Sequence, residues 1–179
     1  MQVMRVVPWN ERSLPFGRST EELPVLAERL LGTPARLWQL TTPANREQLS
    51  LRRSGAWSIM EHIGHVLLLD EHMERRVEDF RAKRPQLCTI DLSGQSVQLE
   101  GHRRRELGDL LEEFRLRRTS LVRSLMELDP EALRHSAQHP CRGMHMRPVD
   151  MAIYLAEHDD HHLALIRGLL DGRRLAAGN

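Results

Sequence analysis

Two histidines, His158 and His162, lie in the middle of an apolar helical stripe near the end of the chain, and this stretch constrains the fold more than any other. Residues four apart in a helix project from the same face, one turn apart along the axis. Steps of about 100° per residue from His162 bring a set of apolar side chains within roughly 40° of it. Its members are Met151, Leu155, Ile166 and Leu169. The stripe therefore predicts a buried helix face with two imidazoles at its centre.

Buried imidazole nitrogens need partners, because a buried polar group without a hydrogen bond is costly. A divalent metal satisfies both rings at once, since histidines at this spacing can reach one ion. The alternative, two core histidines that hydrogen-bond to the backbone or to water, stays open on spacing alone. On the same helix, Asp159 and Asp160 are predicted to point outward, with His161 at the flank.

The size and charge of the chain exclude several classes of function. Its 179 residues are enough for one well-buried domain and short for two. The 26 basic and 25 acidic residues leave a formal charge of +1, so no strong field attracts nucleic acid or an anionic membrane. Arginine runs at 103–105 and 115–118 lie beside acidic residues and are predicted to form a solvated face. We expect no nucleic-acid partner.

Cysteine content and hydropathy predict a cytoplasmic protein. Cys88 and Cys141 are its two cysteines and form no C-x-x-C motif, so a reducing compartment is expected. The N-terminal residues contain no apolar segment of signal-peptide length. The longest apolar run, Met151–Ala156, has six residues and is far too short to span a membrane. We therefore expect no membrane partner.

Helical periodicity predicts an all-α fold, a four-helix bundle with a long crossover connection. Gly32 and Pro34 predict a kink or a break in the first helix. The predicted helices begin at the Ser19–Glu22 capping box, at the Ser58 N-cap, near Glu100 and at Pro148, and the last three end near Lys83, Leu128 and Gly172.

The segments between these helices are predicted to be irregular. They are a polar connector at 41–55, a long connection suited to a crossover at 84–100, one further turn at 130–134 and a loop at 135–146. The expected domain organisation is an extended N-terminal arm at 1–18, a single bundle domain at 19–172 and a C-terminal tail at 173–179.

A third metal ligand is expected from the histidines of the second helix, His62, His65 and His72. Three neutral imidazoles suit one divalent late first-row ion, such as zinc or nickel, better than magnesium or calcium. Three protein ligands leave one position open for water or substrate, as in catalytic sites. The paired Glu-x-x-His motifs of di-iron bundles and the His-Glu-x-x-His motif of metalloproteases are both absent.

Two motifs in this pattern resemble those of the DinB/YfiT-like superfamily of bacterial metal-binding proteins. The motifs are Trp57–Ile59 with Gly64–His65, and Ala156–Leu163 with Ile166–Arg167. Further agreement covers most of residues 19–172, through Gly32–Arg36, His139–Pro140 and Val149–Asp150. The resemblance implies a four-helix bundle with a crossover connection. It also implies a metal bound by one histidine of the second helix and an H-x-x-x-H pair of the last helix, here His65, His158 and His162.

The resemblance implies thiol chemistry as well, because the superfamily includes S-transferases that use bacillithiol and an isomerase that uses mycothiol. We therefore expect a metal-dependent thiol S-transferase that joins a small-molecule thiol to an electrophile. One alternative is a metal-binding protein without turnover, with a role in stress. The other is an ordinary helical bundle whose histidines are packed in the core. The sequence leaves a homodimer open.

Two features of the second helix need the structure to decide them. Periodicity puts His62 nearer the centre of the core stripe, whereas the resemblance selects His65 as the ligand, with His62 packed or hydrogen-bonded nearby. Close relatives carry an acidic residue three positions after this ligand, where the chain has Leu68. Glu61, one turn before His65, could replace that acid as the group that orients the ring.

Overall fold

The computed structural model of the chain describes residues 6–53, 55–91, 93–141 and 143–172. Its α-helices there are α1 Leu23–Thr41, α2 Arg46–Ser50, α3 Ile59–Arg81, α4 Gln95–Arg103, α5 Leu107–Met126, α6 Pro130–Arg134 and α7 Pro148–Leu170. An antiparallel hairpin of β1 Ala137–Gln138 and β2 His145–Met146 precedes α7. Among the described residues, every helix is too short or too polar to cross a membrane. The predicted tail at 173–179 lies outside them.

Four long helices form the bundle that the sequence predicts, but neighbours in space are not always neighbours in the chain. Helix α1 packs against α5 and α7, and α3 packs against the same two helices. The pairs α1/α3 and α5/α7 therefore lie across the diagonals of the bundle. The connection at 84–100, predicted as a crossover, joins the adjacent helices α3 and α5, whereas the segments at 42–58 and 127–147 cross the bundle.

Helix α3 begins where the sequence predicts, because Ser58 and Glu61 form a reciprocal capping box. The Ser58 hydroxyl accepts from the Glu61 amide, and the Glu61 carboxylate accepts from the Ser58 amide at 2.9 Å. Helix α1, in contrast, is not broken at Pro34. Leu30 and Leu37, each 1 % exposed, anchor α1 in the core on both sides of Pro34. This packing outweighs the backbone hydrogen bond that proline removes.

Two short helices, α2 and α4, lie in segments that the sequence predicts as connections. Helix α4, described in full, buries only Leu99, so its sequence carries no helical period of apolar residues. It packs on α3, where a β-carbon on Gly64 would lie 2.7 Å from side-chain atoms of His102. Gly64 thus permits the close approach of α4. The chain then turns at 104–106, so the third long helix starts at Leu107 instead of Glu100.

The bundle interior contains two hydrophobic clusters with a polar layer between them. One cluster includes Met73 and Val149, and the other includes Ile63 and Ile166. Between these levels, at the middle of α3, α5 and α7, lie the buried polar side chains Asp70, Arg118, His158, Asp159 and His162. This polar layer contains the candidate site.

The N-terminal arm, predicted to be extended, lies along α7 over its described residues 6–18. After one turn at Trp9–Glu11, the Arg12 guanidinium pairs with the Glu157 carboxylate at 2.7 Å. Further on, the Gly17 amide donates to Oδ1 of Asp150 at 2.7 Å. The arm therefore covers the N-terminal half of α7 and reaches the polar layer.

Candidate metal centre

Three histidines converge between α3 and α7 at the level of the polar layer. His65 comes from α3, and His158 and His162 come from α7, one turn apart. The Nε2 atoms of His65 and His162 each lie 3.2 Å from Nε2 of His158, and the three potential ligand atoms lie within 4.8 Å of one another. Two nitrogens bound to one tetrahedral zinc ion would be about 3.3 Å apart, given bonds of about 2.05 Å. The spacing therefore fits a single ion.

Burial keeps these imidazoles neutral. Burial first, and then the neighbouring histidines, holds the pKa of His158 and His162 well below the ordinary value. Burial, with His161 and His72 nearby, lowers the pKa of His65 to about 4. A neutral imidazole is the form that binds a metal, so all three rings are ready to coordinate at pH 7.

The hydrogen bonds among the three rings are incomplete, and this fits a metal site. An imidazole nitrogen offers either one hydrogen or one lone pair in the ring plane. Nε2 of His158 faces two other Nε2 atoms at 3.2 Å, so it can form a full hydrogen bond with only one of them. A cation placed between the three atoms would share all three lone pairs at once.

His62 and Gln95 position two of the three rings. Nδ1 of His62 lies 2.9 Å from Nδ1 of His162, and the Gln95 amide lies 2.8 Å from Nδ1 of His65. A histidine that coordinates through Nε2 carries its proton on Nδ1. His62 can accept that proton from His162, and the Gln95 amide, once rotated, can accept from His65. The geometry thus puts His65 among the converging atoms and His62 behind His162.

Glu61 does not orient His65, contrary to the expectation from sequence. Its carboxylate accepts from the Ser58 amide and hydroxyl and, at 2.9 Å, from Nε of Arg52. These hydrogen bonds overcome the effect of burial and lower the pKa of Glu61. The residue that does contact His65, Gln95, lies on α4. A lone glutamine in a segment without helical periodicity gives no signal by which sequence reasoning could select it.

Aromatic rings surround the three histidines. The Trp57 ring lies 4.9 Å from the His65 ring, and the Trp9 ring meets His158 edge to face at 5.0 Å. The Tyr154 ring stacks on His158 with centroids 6.1 Å apart. Nδ1 of His158 has no hydrogen-bond partner among the described residues, so ring contacts alone hold that side of it. An apolar shell of this kind limits water around the site and strengthens electrostatic interactions inside it.

A second polar cluster lies beside the histidines, around Arg118. Its guanidinium donates to Asp70 at 2.9 Å and to Asp159 at 3.1 Å, and Asp159 also accepts from Thr33 at 2.7 Å. Burial alone would lower the pKa of Arg118, but the two carboxylates outweigh it and raise the pKa. The predictions that Asp159 points outward and that Arg118 lies on a solvated face are therefore wrong. Each is buried because it neutralises the other. Asp160 does face outward and pairs there with Arg36 at 2.7 Å.

The space around the site is limited. A cavity of about 20 Å³ borders His65, between His72 and Gln95, and this is enough for one water molecule. A cleft of about 560 Å³ lies elsewhere, on the outer face of α1 and α7 beside Arg36 and Arg167, and none of the three histidines lines it. His158 and His162 are thus nearly closed to solvent, whereas His65 is partly exposed.

Comparison with known protein families identifies the family of the chain. Residues 29–166 match a family model described as the DinB superfamily. The chain belongs to the DinB superfamily. The resemblance seen in the histidine motifs is confirmed by this match. Among curated proteins, none matches the chain.

Solved structures show the same fold in this DinB-superfamily protein and its relatives. YfiT from Bacillus subtilis, described as a probable metal-dependent hydrolase with an unusual four-helix bundle topology, matches with a TM-score of 0.79 and 18 % identity, over 93 % of this chain and 95 % of YfiT. A mycothiol-dependent maleylpyruvate isomerase matches with a TM-score of 0.68 and 12 % identity, over 86 % of this chain and 62 % of the isomerase. The chain therefore spans less than two thirds of the isomerase. At these identities the likeness shows a shared fold.

Proposed function

We propose that this DinB-superfamily protein binds one divalent transition-metal ion, zinc or nickel, through His65, His158 and His162. The observation that carries the proposal is the convergence of three neutral Nε2 atoms inside the protein, two of them each 3.2 Å from the third. Three imidazoles suit late first-row ions, and they leave one coordination position for a further ligand.

We further propose that the protein is a thiol S-transferase, in which the sulfur of a small-molecule thiol displaces the leaving group of an electrophile, so that a carbon–sulfur bond forms and the leaving group and the thiol proton are released. A bound divalent ion would supply the Lewis acidity that lowers the pKa of a thiol and favours its thiolate at neutral pH. The residues of the chain bind and orient: His62 and Gln95 position the rings of His162 and His65. The likeness in fold to a mycothiol-dependent isomerase supports a thiol as the partner.

Hydrolysis is the second candidate, because YfiT is described as a probable metal-dependent hydrolase. The two candidates use the same three histidines and differ in what occupies the open coordination position. A bound ion would activate a thiol for transfer in the first case and a water molecule for hydrolysis in the second.

Metal analysis and cobalt spectroscopy test these proposals in turn. Protein purified without a histidine tag is expected to contain about one zinc or nickel ion per chain, and its absence would overturn the metal site. Cobalt-substituted protein is expected to show a sulfur-to-metal charge-transfer band with bacillithiol, mycothiol, glutathione or cysteine. A metal-loaded protein that ignores all four thiols but cleaves esters or amides would establish the hydrolase instead. One that does neither would be a metal-binding protein without turnover.

A further inference from the structure

Arg76 is a buried cation whose guanidinium is poorly satisfied. Arg76 lies on α3 and is 2 % exposed, and its Nε has no hydrogen-bond partner among the described residues. Among the described residues, Arg76 makes one hydrogen bond, from its Nη2 to the Cys88 carbonyl. At 3.5 Å this bond is long and weak. Arg118, equally buried, is bound by two carboxylates. Because buried charges in proteins are normally paired, Arg76 has spare capacity to bind an anion.

The groups around Arg76 do not supply that anion. Burial is the main influence on its pKa and lowers it, and the described groups that act against burial are Cys88, Tyr154 and Cys141. None of these three is a carboxylate. Asp79, one turn further along α3, directs its Oδ2 to the Cys88 amide at 2.7 Å. No described carboxylate forms an ion pair with Arg76.

Arg76 lies on the same side of α3 as His65. The two residues are eleven positions apart, so they lie within about 20° of one another and about 16 Å apart along the helix axis.

Tyr154 connects the two places. It is close enough to Arg76 to raise the pKa of that guanidinium, and its ring stacks on His158 at 6.1 Å. Arg76 and the histidine cluster therefore lie along one seam between α3 and α7.

This end of the seam lies close to the protein surface. Cys88 is partly exposed and Cys141 is exposed, and both lie near Arg76. The two cysteines therefore mark the shortest way from the surface to the guanidinium.

We propose that Arg76 binds the carboxylate of an anionic substrate whose reacting end lies at the three-histidine centre. The position of the reacting end rests on the proposed function, in which the reaction takes place at the three histidines. A guanidinium suits a carboxylate because it can donate two parallel hydrogen bonds to it. The separation from His65 selects a substrate whose carboxylate lies several bonds away from its reacting atom.

Titration calorimetry with hexanoate, a carboxylate on a simple alkyl chain, tests this proposal. Wild-type protein is expected to bind hexanoate, and Arg76→Met is expected to lose at least tenfold in affinity. Arg75→Met is the matched control, because its neighbour Arg75 is 62 % exposed and pairs with Glu71 at the surface, so that variant should bind like wild type. Failure of the wild type to bind hexanoate would overturn the proposal. So would equal binding by Arg76→Met.

The titration is run on metal-free and metal-loaded protein, so that it does not depend on the metal site. Absence of metal binding would defeat the proposed function but would leave Arg76-dependent binding of hexanoate visible. Thermal unfolding controls for folding: Arg76→Met removes an unpaired buried charge and is expected to melt no lower than wild type. A large fall in its Tm would show that Arg76 is a structural residue and would overturn the proposal. Arg76→Lys, which keeps the charge without the planar fork, should bind hexanoate weakly.

A matched pair of thiols distinguishes which substrate carries the carboxylate. On cobalt-substituted protein, 6-mercaptohexanoate should bind at least tenfold better than 6-mercaptohexanol if the thiol carries it, and Arg76→Met should abolish that preference. If both thiols bind alike while hexanoate binding still depends on Arg76, the carboxylate belongs to the electrophile.

Discussion

The polar layer of the bundle contains two clusters that meet at neighbouring residues of α7 and follow opposite rules. Around Asp159, unlike charges pair, since Arg118 is shared between Asp159 at 3.1 Å and Asp70 at 2.9 Å. Around His158, like groups face one another, with two other imidazole nitrogens each 3.2 Å from its Nε2. The first cluster contains its own counterion, the Arg118 guanidinium, and burial raises the pKa of its second carboxyl group, Asp70, to about 7. The second is arranged to share its lone pairs with an added cation.

This difference shows that burial and polarity together do not identify a functional site. Both clusters are buried in the same layer, at adjacent positions of the same helix. They differ in whether the protein completes the set of charges and hydrogen bonds. The ionic cluster should therefore stabilise the fold, and the histidine cluster should bind a ligand. Arg76 belongs with the second kind, since no described carboxylate pairs with it.

Replacing Arg118 with alanine should cause the largest loss of stability. The change leaves Asp70 and Asp159 buried without a cation, which typically costs about 3–5 kcal/mol. Urea unfolding of the metal-free protein measures the loss. Arg115→Ala is the matched control, because Arg115 lies on the same helix but at the surface, 2.6 Å from Glu112, and should unfold close to wild type. Equal urea midpoints for the two variants would show that the ionic cluster does not hold the layer together.

Lowering the pH should destabilise the metal-free protein through the protonation of its histidine cluster. Burial lowers the pKa of His65 to about 4 and that of His62 to about 3, whereas both titrate near 6.5 in the unfolded chain. These histidines therefore take up protons in the unfolded chain before they do so in the folded one, and they make the metal-free protein lose stability between about pH 6.5 and pH 4. Burial raises the pKa of Asp70 to about 7, so that carboxyl takes up its proton first in the folded state and offsets part of the loss. Each such histidine contributes a slope of about 1.4 kcal/mol per pH unit. Arg118 stays charged throughout.

Urea unfolding at a series of pH values measures this slope. His65→Asn should give a shallower slope than wild type. The difference should be about the slope that one histidine contributes, about 1.4 kcal/mol per pH unit. A variant with the wild-type slope would contradict a His65 that is neutral in the folded protein.

Replacing His65 with alanine should have the opposite effect to Arg118→Ala, with metal binding lost and metal-free stability nearly kept. Metal at a hundred times its Kd adds about 2.7 kcal/mol to the wild type if only the native state binds it, and His65→Ala should forfeit this gain. His62→Ala removes only the partner of the His162 ring, so its metal affinity should fall about 10- to 100-fold. Metal titration into both variants decides between them. The choice of His65 is wrong if His65→Ala keeps near-native affinity while His62→Ala abolishes binding.

The parts of this structure that could be predicted from sequence are those with a local, periodic signal. The bundle follows from runs of apolar residues at helical spacing, the start of α3 from Ser58 as its N-cap, and the pairing of His158 with His162 from their four-residue separation. Such features need no knowledge of what lies across the fold.

The rest depends on contacts between distant parts of the chain. Asp159 is buried because Arg118, 41 positions away, neutralises it, and a helical wheel assigns a lone aspartate to the surface. Gln95 reaches His65 because α4 docks at Gly64, and nothing periodic in 84–100 indicates that contact. A buried charge and its partner must be recognised together, and a single sequence shows them separately.

The arm, which covers the histidine side of the layer, is expected to contribute less to stability than Arg118 does. Trp9 meets His158 at 5.0 Å and Tyr154 at 5.1 Å, and aromatic contacts of this kind contribute about 0.5–1.5 kcal/mol each beyond the area they bury. Two such contacts predict that Trp9→Ala lowers the free energy of unfolding by about 1–3 kcal/mol. The rate of metal exchange should change more than the stability does, because the variant opens a path for water and chelator to His158.

Release of metal to excess EDTA measures that effect, and the release should be faster from Trp9→Ala than from wild type. Trp38→Ala is the control, because Trp38 is 53 % exposed on α1 and has no ring contact with the three histidines. If metal leaves Trp9→Ala at the wild-type rate, the arm only packs against α7, and the two clusters differ in chemistry alone. A faster release specific to Trp9 would add a second difference: the ionic cluster is closed by the bundle itself, whereas the histidine cluster is closed by a segment that can move aside.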